Sequence, residues 1–143
     1  MATQIYIIKL IKFKGGKIME NKYYICKKCG NIIEMVRPSG IPVFCCGEKM
    51  EELIPASVDA AQEKHVPVYE INGNKIMVSV GEINHPMQEE HFIEWIAIKT
   101  KQGMQRKKLH PGDEPKACFT LCEEDEIEEV FAYCNLHGLW KNK

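Results

Sequence analysis

The chain has 143 residues, 45% of them hydrophobic, and a formal net charge of −1. That length fits one or two small domains, the charge gives no reason to expect a nucleic-acid partner, and no apolar run approaches the ~20 residues of a membrane-spanning helix. Seven cysteines are an odd number for disulfide pairing, and no secretory signal accompanies them, so a cytoplasmic, metal-binding chain is expected.

The opening segment MATQIYIIKLIKFKGGKIME sets Lys9, Lys12, Lys14 and Lys17 against Glu20. Its apolar piece IYII is shorter than the ~7 residues of a signal-peptide core, and no small-residue cleavage site follows. Lys-Gly-Gly ahead of Met19 can be encoded by a purine-rich run of the ribosome-binding type. That raises the expectation that translation starts at Met19; an added edge strand or a frayed tail is the competing reading. Residues 1–21 are therefore set apart as an extension, untranslated or disordered.

Residues 22–56 hold four cysteines and no histidine. In CKKCG, Cys26 and Cys29 are two residues apart, a turn that can aim both sulfurs at one ion. FCCGEKM adds Cys45 and Cys46 after fifteen intervening residues. Four thiolates form a soft tetrahedral site suited to zinc or a single iron. Neighbouring strand residues face opposite ways, so Cys45 and Cys46 can bind together only if the chain turns there. Gly30 and Gly47, each just after a cysteine pair, permit such turns. A segment this short needs a metal staple to hold its fold. The spacing resembles desulforedoxin, a small iron–tetrathiolate module, and that resemblance favours iron. LIPASVDAAQ, residues 53–62, reads as a linker.

Residues 57–143 hold all five histidines and read as β. VPVYEI at 66–71 is a strand whose Pro67 favours an edge or a strand start. KIMVSV at 75–80 alternates, with Ile76, Val78 and Val80 on one face. HFIEWIAIKT at 91–100 is rich in β-branched and aromatic residues and long enough for a central strand. KACFTL at 116–121 and EEVFAYC at 128–134 are two more. NGN, NHP, KQG and HPGDEP between them carry turn chemistry. Short strands with frequent turns predict a sandwich. KTKQGMQRKK at 99–108 is expected to be a long hairpin tip, able to dock an acidic donor but more simply solvated. The acidic run EEDEIEE at 123–129 is expected to be a solvated approach to a strand.

His65, His85 and His91 lie at predicted strand ends or in turns, and Cys134 ends a strand with His137 in the Gly-containing loop after it. Ligands so placed can converge at one end of a sandwich. Any one of these histidines alone would pass for a surface residue, and Cys134 alone for a buried hydrophobe. His110, in a Gly/Pro turn, is read as surface. Cys118 is read as packed in a strand and Cys122 as closing it, neither of them a ligand.

The pieces CKKCG, FCCGEKM, EKHVP, HPM with HFIEW, and YCNLHGLWK, in that order over residues 26–141, resemble superoxide reductase and, as a whole, its two-iron desulfoferrodoxin form. The resemblance implies an immunoglobulin-like β-sandwich after the four-cysteine domain, a mainly β protein with two non-haem irons. It implies a catalytic iron held by His65, His85, His91 and His137 in a plane, with Cys134 axial. It implies that Lys64 attracts superoxide and that Glu63 can occupy the open position in the ferric state. One-electron reduction of superoxide to hydrogen peroxide, a rubredoxin-like donor and a homodimer are further implications. A non-catalytic iron electron-transfer or metal-binding module is the alternative, and a zinc-stapled binding protein a third.

Overall fold

Lys75–Val80 shows how directly residue pattern becomes structure here. Ile76, Val78 and Val80 are buried, while Lys75 and Met77 are exposed, as the two-residue period of a strand requires. The computed structural model of the chain describes residues 21–57, 65–81 and 83–142, and every regular element among them is a strand. The chain divides into two units after Glu51.

In the first unit, β1 (Lys22–Ile25) and β2 (Ile32–Met35) form an antiparallel hairpin joined by the CKKCG loop. A second, minimal hairpin is made by β3 (Phe44–Cys45) and β4 (Glu48–Lys49). With β5 (Glu51–Glu52), the first sheet has the order β2-β1-β5. Among this unit's described hydrophobic residues only Tyr23, Cys26 and Met50 are buried, whereas Val36, Ile41 and Phe44 are largely exposed. So little buried apolar surface among the described residues does little to offset the entropy of ordering the segment, which is the situation a metal staple suits.

The second unit begins its sheets with β6 (Pro67–Asn72) and β7 (Lys75–Val80), followed by β8 (Ile93–Thr100) and β9 (Gly103–Lys108). Next come β10 (Lys116–Thr120), β11 (Ile127–Cys134) and β12 (Gly138–Lys141). They form a three-stranded sheet, β10-β7-β6, and a four-stranded sheet, β12-β11-β8-β9. Ile76, Val78, Val80 and Phe119 of the first meet Ile96, Ile98, Val130 and Ala132 of the second in one core. This three-plus-four arrangement is the expected immunoglobulin-like sandwich.

Two strands depart from the sequence reading. The stretch 99–108 is not a long tip: the turn is confined to Lys101 and Gln102, and β9 pairs with β8 from Thr100↔Gly103 to Trp95↔Lys108. Its charged residues suit an edge strand, where lysine discourages further pairing. Their charged ends also lie over aromatic rings, Arg106 Cζ 5.9 Å from the Trp95 ring centre and Lys107 Nζ 5.5 Å from that of Phe119. The segment after His137 is not loop but β12, paired with β11 from Cys134↔Gly138 to Phe131↔Lys141.

The stretch read as a linker is fastened at Ala56, which bridges Trp140 in parallel. Its N–H donates to the Leu139 carbonyl (3.0 Å), and its own carbonyl accepts from Lys141 N–H (2.8 Å). The acidic run is largely solvated, as expected, with Glu123, Glu124, Glu126 and Glu128 exposed and Asp125 and Glu129 half-buried. Glu129 lies opposite Lys99 and contacts Lys141 at 3.0 Å, and Glu126 contacts Lys101 at 2.7 Å. Burial alone would raise the Glu129 pKa, but Lys141 and Lys99 outweigh it and hold the carboxyl below its ordinary range.

Candidate metal centres

In the CKKCG loop, Cys26 N–H donates to the Asn31 carbonyl (2.9 Å) and Gly30 N–H to the Cys26 carbonyl (2.8 Å), which curls the chain so that Cys26 and Cys29 face the same point. Gly30 takes φ +79, a left-handed conformation that glycine adopts without steric cost. The adjacent pair Cys45–Cys46 is reconciled by a two-residue turn between β3 and β4. Cys46 at φ 53 and Gly47 at φ 77 are both left-handed, the signature of a type I′ hairpin. That turn swings Cys46 to the side of Cys45.

The four sulfurs lie within 4.8 Å of one another, with Cys29–Cys45 at 3.6 Å and Cys45–Cys46 at 4.0 Å. Metal–sulfur bonds of about 2.3 Å in a tetrahedron require sulfur–sulfur edges of about 3.8 Å, so the donor set fits one ion. The mutual influence of the four thiols argues the same way. The Cys29 and Lys28 backbone N–H groups bring Cys26 down to about 7 against the effect of burial. Cys46 is pushed up to about 12, chiefly through its hydrogen bond with Cys29. Four neighbouring thiols cannot all ionise beside one another unless a cation sits among them.

The second centre forms at one end of the sandwich. His65 precedes β6, His85 follows β7, His91 precedes β8, Cys134 ends β11, and His137 lies in the turn to β12. Antiparallel neighbours begin and end at the same edge, so these five positions come together although they span the whole unit. Their donor atoms also lie within 4.8 Å of one another.

The four imidazoles stand at the corners of a square. Neighbouring ring centres are 4.7 Å apart for His65–His85, 4.6 Å for His85–His91, 5.0 Å for His91–His137 and 4.7 Å for His65–His137. The His65–His91 diagonal is 6.4 Å, longer than the sides as a square demands. Neighbouring planes cross at 63°, 84°, 80° and 79°, so the rings stand edge-on to each other like vanes. His65 Nε2 and His137 Nδ1 are 2.9 Å apart, the separation of adjacent donors that each lie about 2.1 Å from one ion. Cys134 Sγ is 3.7 Å from His137 Nδ1. Cys134 is completely buried and His137 exposed, so the sulfur lies on the inner side and the cluster reaches the surface.

Ring orientation is set by neighbouring groups. His85 Nδ1–H donates to the Pro86 carbonyl (2.7 Å), which leaves Nε2 as its lone-pair nitrogen. His137 presents Nδ1 instead. His65 is stacked on Trp140, with ring centres 4.6 Å apart and planes 15° from parallel. Trp140 lies in the quoted YCNLHGLWK, but nothing in that string pairs it with a histidine seventy-five positions earlier. Among the remaining candidates, His110 is exposed, with Nδ1 3.4 Å from Asp113, and Cys118 and Cys122 stand outside both clusters. Glu63 and Lys64 lie outside the described residues.

Three comparisons bear on these centres. Residues 57–143 match the family model described as Desulfoferrodoxin. A desulfoferrodoxin homolog from Archaeoglobus fulgidus is 47% identical over 119 residues, 83% of this chain and 94% of that one. The desulfoferrodoxin of Nitratidesulfovibrio vulgaris is 43% identical over 86% of this chain and 98% of its own. The crystal structure of the superoxide reductase from Treponema pallidum superposes with a TM-score of 0.76 at 35% identity, covering 87% of this chain and 98% of that chain.

Proposed function

This chain belongs to the desulfoferrodoxin family, and from that premise we propose that it is a superoxide reductase with two non-haem irons. The observation that carries the reading is the square of imidazoles with a buried sulfur beside it. An iron held by these residues would supply the one electron that, with two protons, turns superoxide into hydrogen peroxide, going from ferrous to ferric.

The chain's own groups suit that task. Four neutral imidazoles bind a cation without adding charge, and the Cys134 thiolate donates electron density, as a cysteine ligand does in some haem proteins. His65, His85, His91, His137 and Cys134 are the proposed ligands of one iron, and Cys26, Cys29, Cys45 and Cys46 those of the other. The domains proposed are 22–56 and 57–143, after an extension at 1–21; the start of the family match at residue 57 supports the second boundary. Lys64 and Glu63 directly precede a proposed ligand. A cation at that position draws the superoxide anion toward the site, a salt-sensitive effect, and the carboxylate can cover the site in the oxidised state. The proposed donor is rubredoxin-like, and a cytoplasmic homodimer is the proposed setting. Among the described residues no helix is long and apolar enough to cross a membrane.

Anaerobically purified protein, analysed for metal and then exposed to superoxide pulses, tests the reading. The expected result is iron in both centres and one hydrogen peroxide per superoxide with no oxygen released. Oxygen evolution, or no consumption of superoxide, contradicts it.

A further inference from the structure

The main chain around His91 is held from two sides. Within its own loop, His91 N–H donates to the Gln88 carbonyl (3.1 Å), and the His91 carbonyl accepts from Gln88 N–H (2.9 Å). From across the site, Asn135 takes the flanking groups. Its Oδ1 accepts from Phe92 N–H (3.0 Å), and its Nδ2 donates to the Glu90 carbonyl (3.0 Å). Asn135 N–H also donates to the Phe92 carbonyl (3.2 Å). In an extended chain, the carbonyl before a residue and the N–H after it point the same way. The Asn135 carboxamide therefore bonds opposite His91 as a residue of a neighbouring parallel strand would.

Asn135 follows Cys134 directly and precedes His137 by two residues. Its three bonds fasten the end of β11 and the turn after it, which together carry two proposed ligands, to the loop carrying a third, across more than forty positions of sequence. Only a primary carboxamide meets both demands at this length, because it offers an acceptor and a donor side by side. Aspartate keeps the acceptor for Phe92 but sets a negative oxygen against the Glu90 carbonyl. Alanine leaves both main-chain groups without their partner.

We propose that Asn135 is a positioning residue that fixes His91 relative to Cys134 and His137, so that their donor atoms stand at bonding separation before the metal arrives. The proposal rests on the superoxide-reductase reading of the five-donor centre. Side chains that orient metal ligands in this way are worth about 10–100-fold in metal affinity.

The test follows iron loss from each centre to a chelator by absorption spectroscopy, in the native chain, Asn135→Ala and Asn135→Asp. The four-cysteine centre is the internal reference. Asn135→Ala is expected to release iron from the five-donor centre about 10–100-fold faster, with Asn135→Asp in between. Both are expected to shift the sulfur-to-iron charge-transfer band and leave the reference rate unchanged. A native five-donor centre whose release rate and band are unmoved in both variants overturns the proposal alone. A native chain that takes iron only into the four-cysteine centre overturns the functional reading and this proposal together. If Asn135→Ala fails to fold, Asn135→Asp decides by the same two readouts.

Discussion

Replacing Gly47 by alanine isolates one physical cause. Gly47 has φ +77, and a Cβ built on it meets nothing within 4 Å, so the substitution adds no clash. The cost is the left-handed backbone alone, about 1–2 kcal/mol for a residue with a Cβ. Cys46, at φ 53 in the same turn, already carries a cost of this kind. With so little apolar surface buried among its described residues, the first unit is expected to draw folding free energy from metal binding, so that strain in the turn weakens both together. One to two kcal/mol corresponds to about 5–30-fold weaker metal retention at the four-cysteine centre. The assay is chelator competition on Gly47→Ala, with Gly47→Asn beside it, since asparagine tolerates the left-handed region and is expected to lose less. The five-donor centre is expected to keep its metal equally well in both. Native-like retention in Gly47→Ala, or a larger loss in Gly47→Asn than in Gly47→Ala, refutes the argument.

Trp140→Leu removes the ring stacked on His65 and Trp140→Phe keeps one. An aromatic stack worth about 0.5–1.5 kcal/mol predicts roughly 2–13-fold weaker metal binding at the five-donor centre in the first and a smaller change in the second; titration with cobalt(II) measures it, and equal affinities would count against the stack. Glu129→Gln tests the pairing with Lys99 and Lys141. The lowered pKa of Glu129 means that its contribution is present above the ordinary value of 4.5 and is lost as pH falls through the lower folded value. Denaturant titrations should therefore show Glu129→Gln less stable by about 1 kcal/mol near neutrality, with the difference fading in acid. A difference that does not vary with pH would deny the ion pairs a role.

Where local pattern dictates structure, the sequence was readable. KIMVSV alternates in the residues and in the burial, and CKKCG followed by FCCG announced a four-sulfur site with a turn at its second half. Gly47 marked that turn, although the left-handed Cys46 beside it was not foreseeable from residue type. β9 was hidden because Gln105, Arg106, Lys107 and Lys108 look like solvated loop until the charged ends of Arg106 and Lys107 are seen over Trp95 and Phe119. β12 was hidden because Gly138–Lys141 is too short to show a period. The five donors were collected by family resemblance more than by spacing. Their order around the square, and the use of Nδ1 by His137, come from strand pairing between distant segments. The same holds for Asn135 and Trp140, whose partners are forty-three to seventy-five residues away in the chain.

Anomalous scattering at the iron edge, from crystals of anaerobically reconstituted protein, tests the central claim most directly. The expected result is one iron within bonding distance of His65, His85, His91, His137 Nδ1 and Cys134 Sγ, and a second among the four sulfurs of the first unit. An iron displaced from the imidazole square, or one that Cys134 does not reach, would contradict the account.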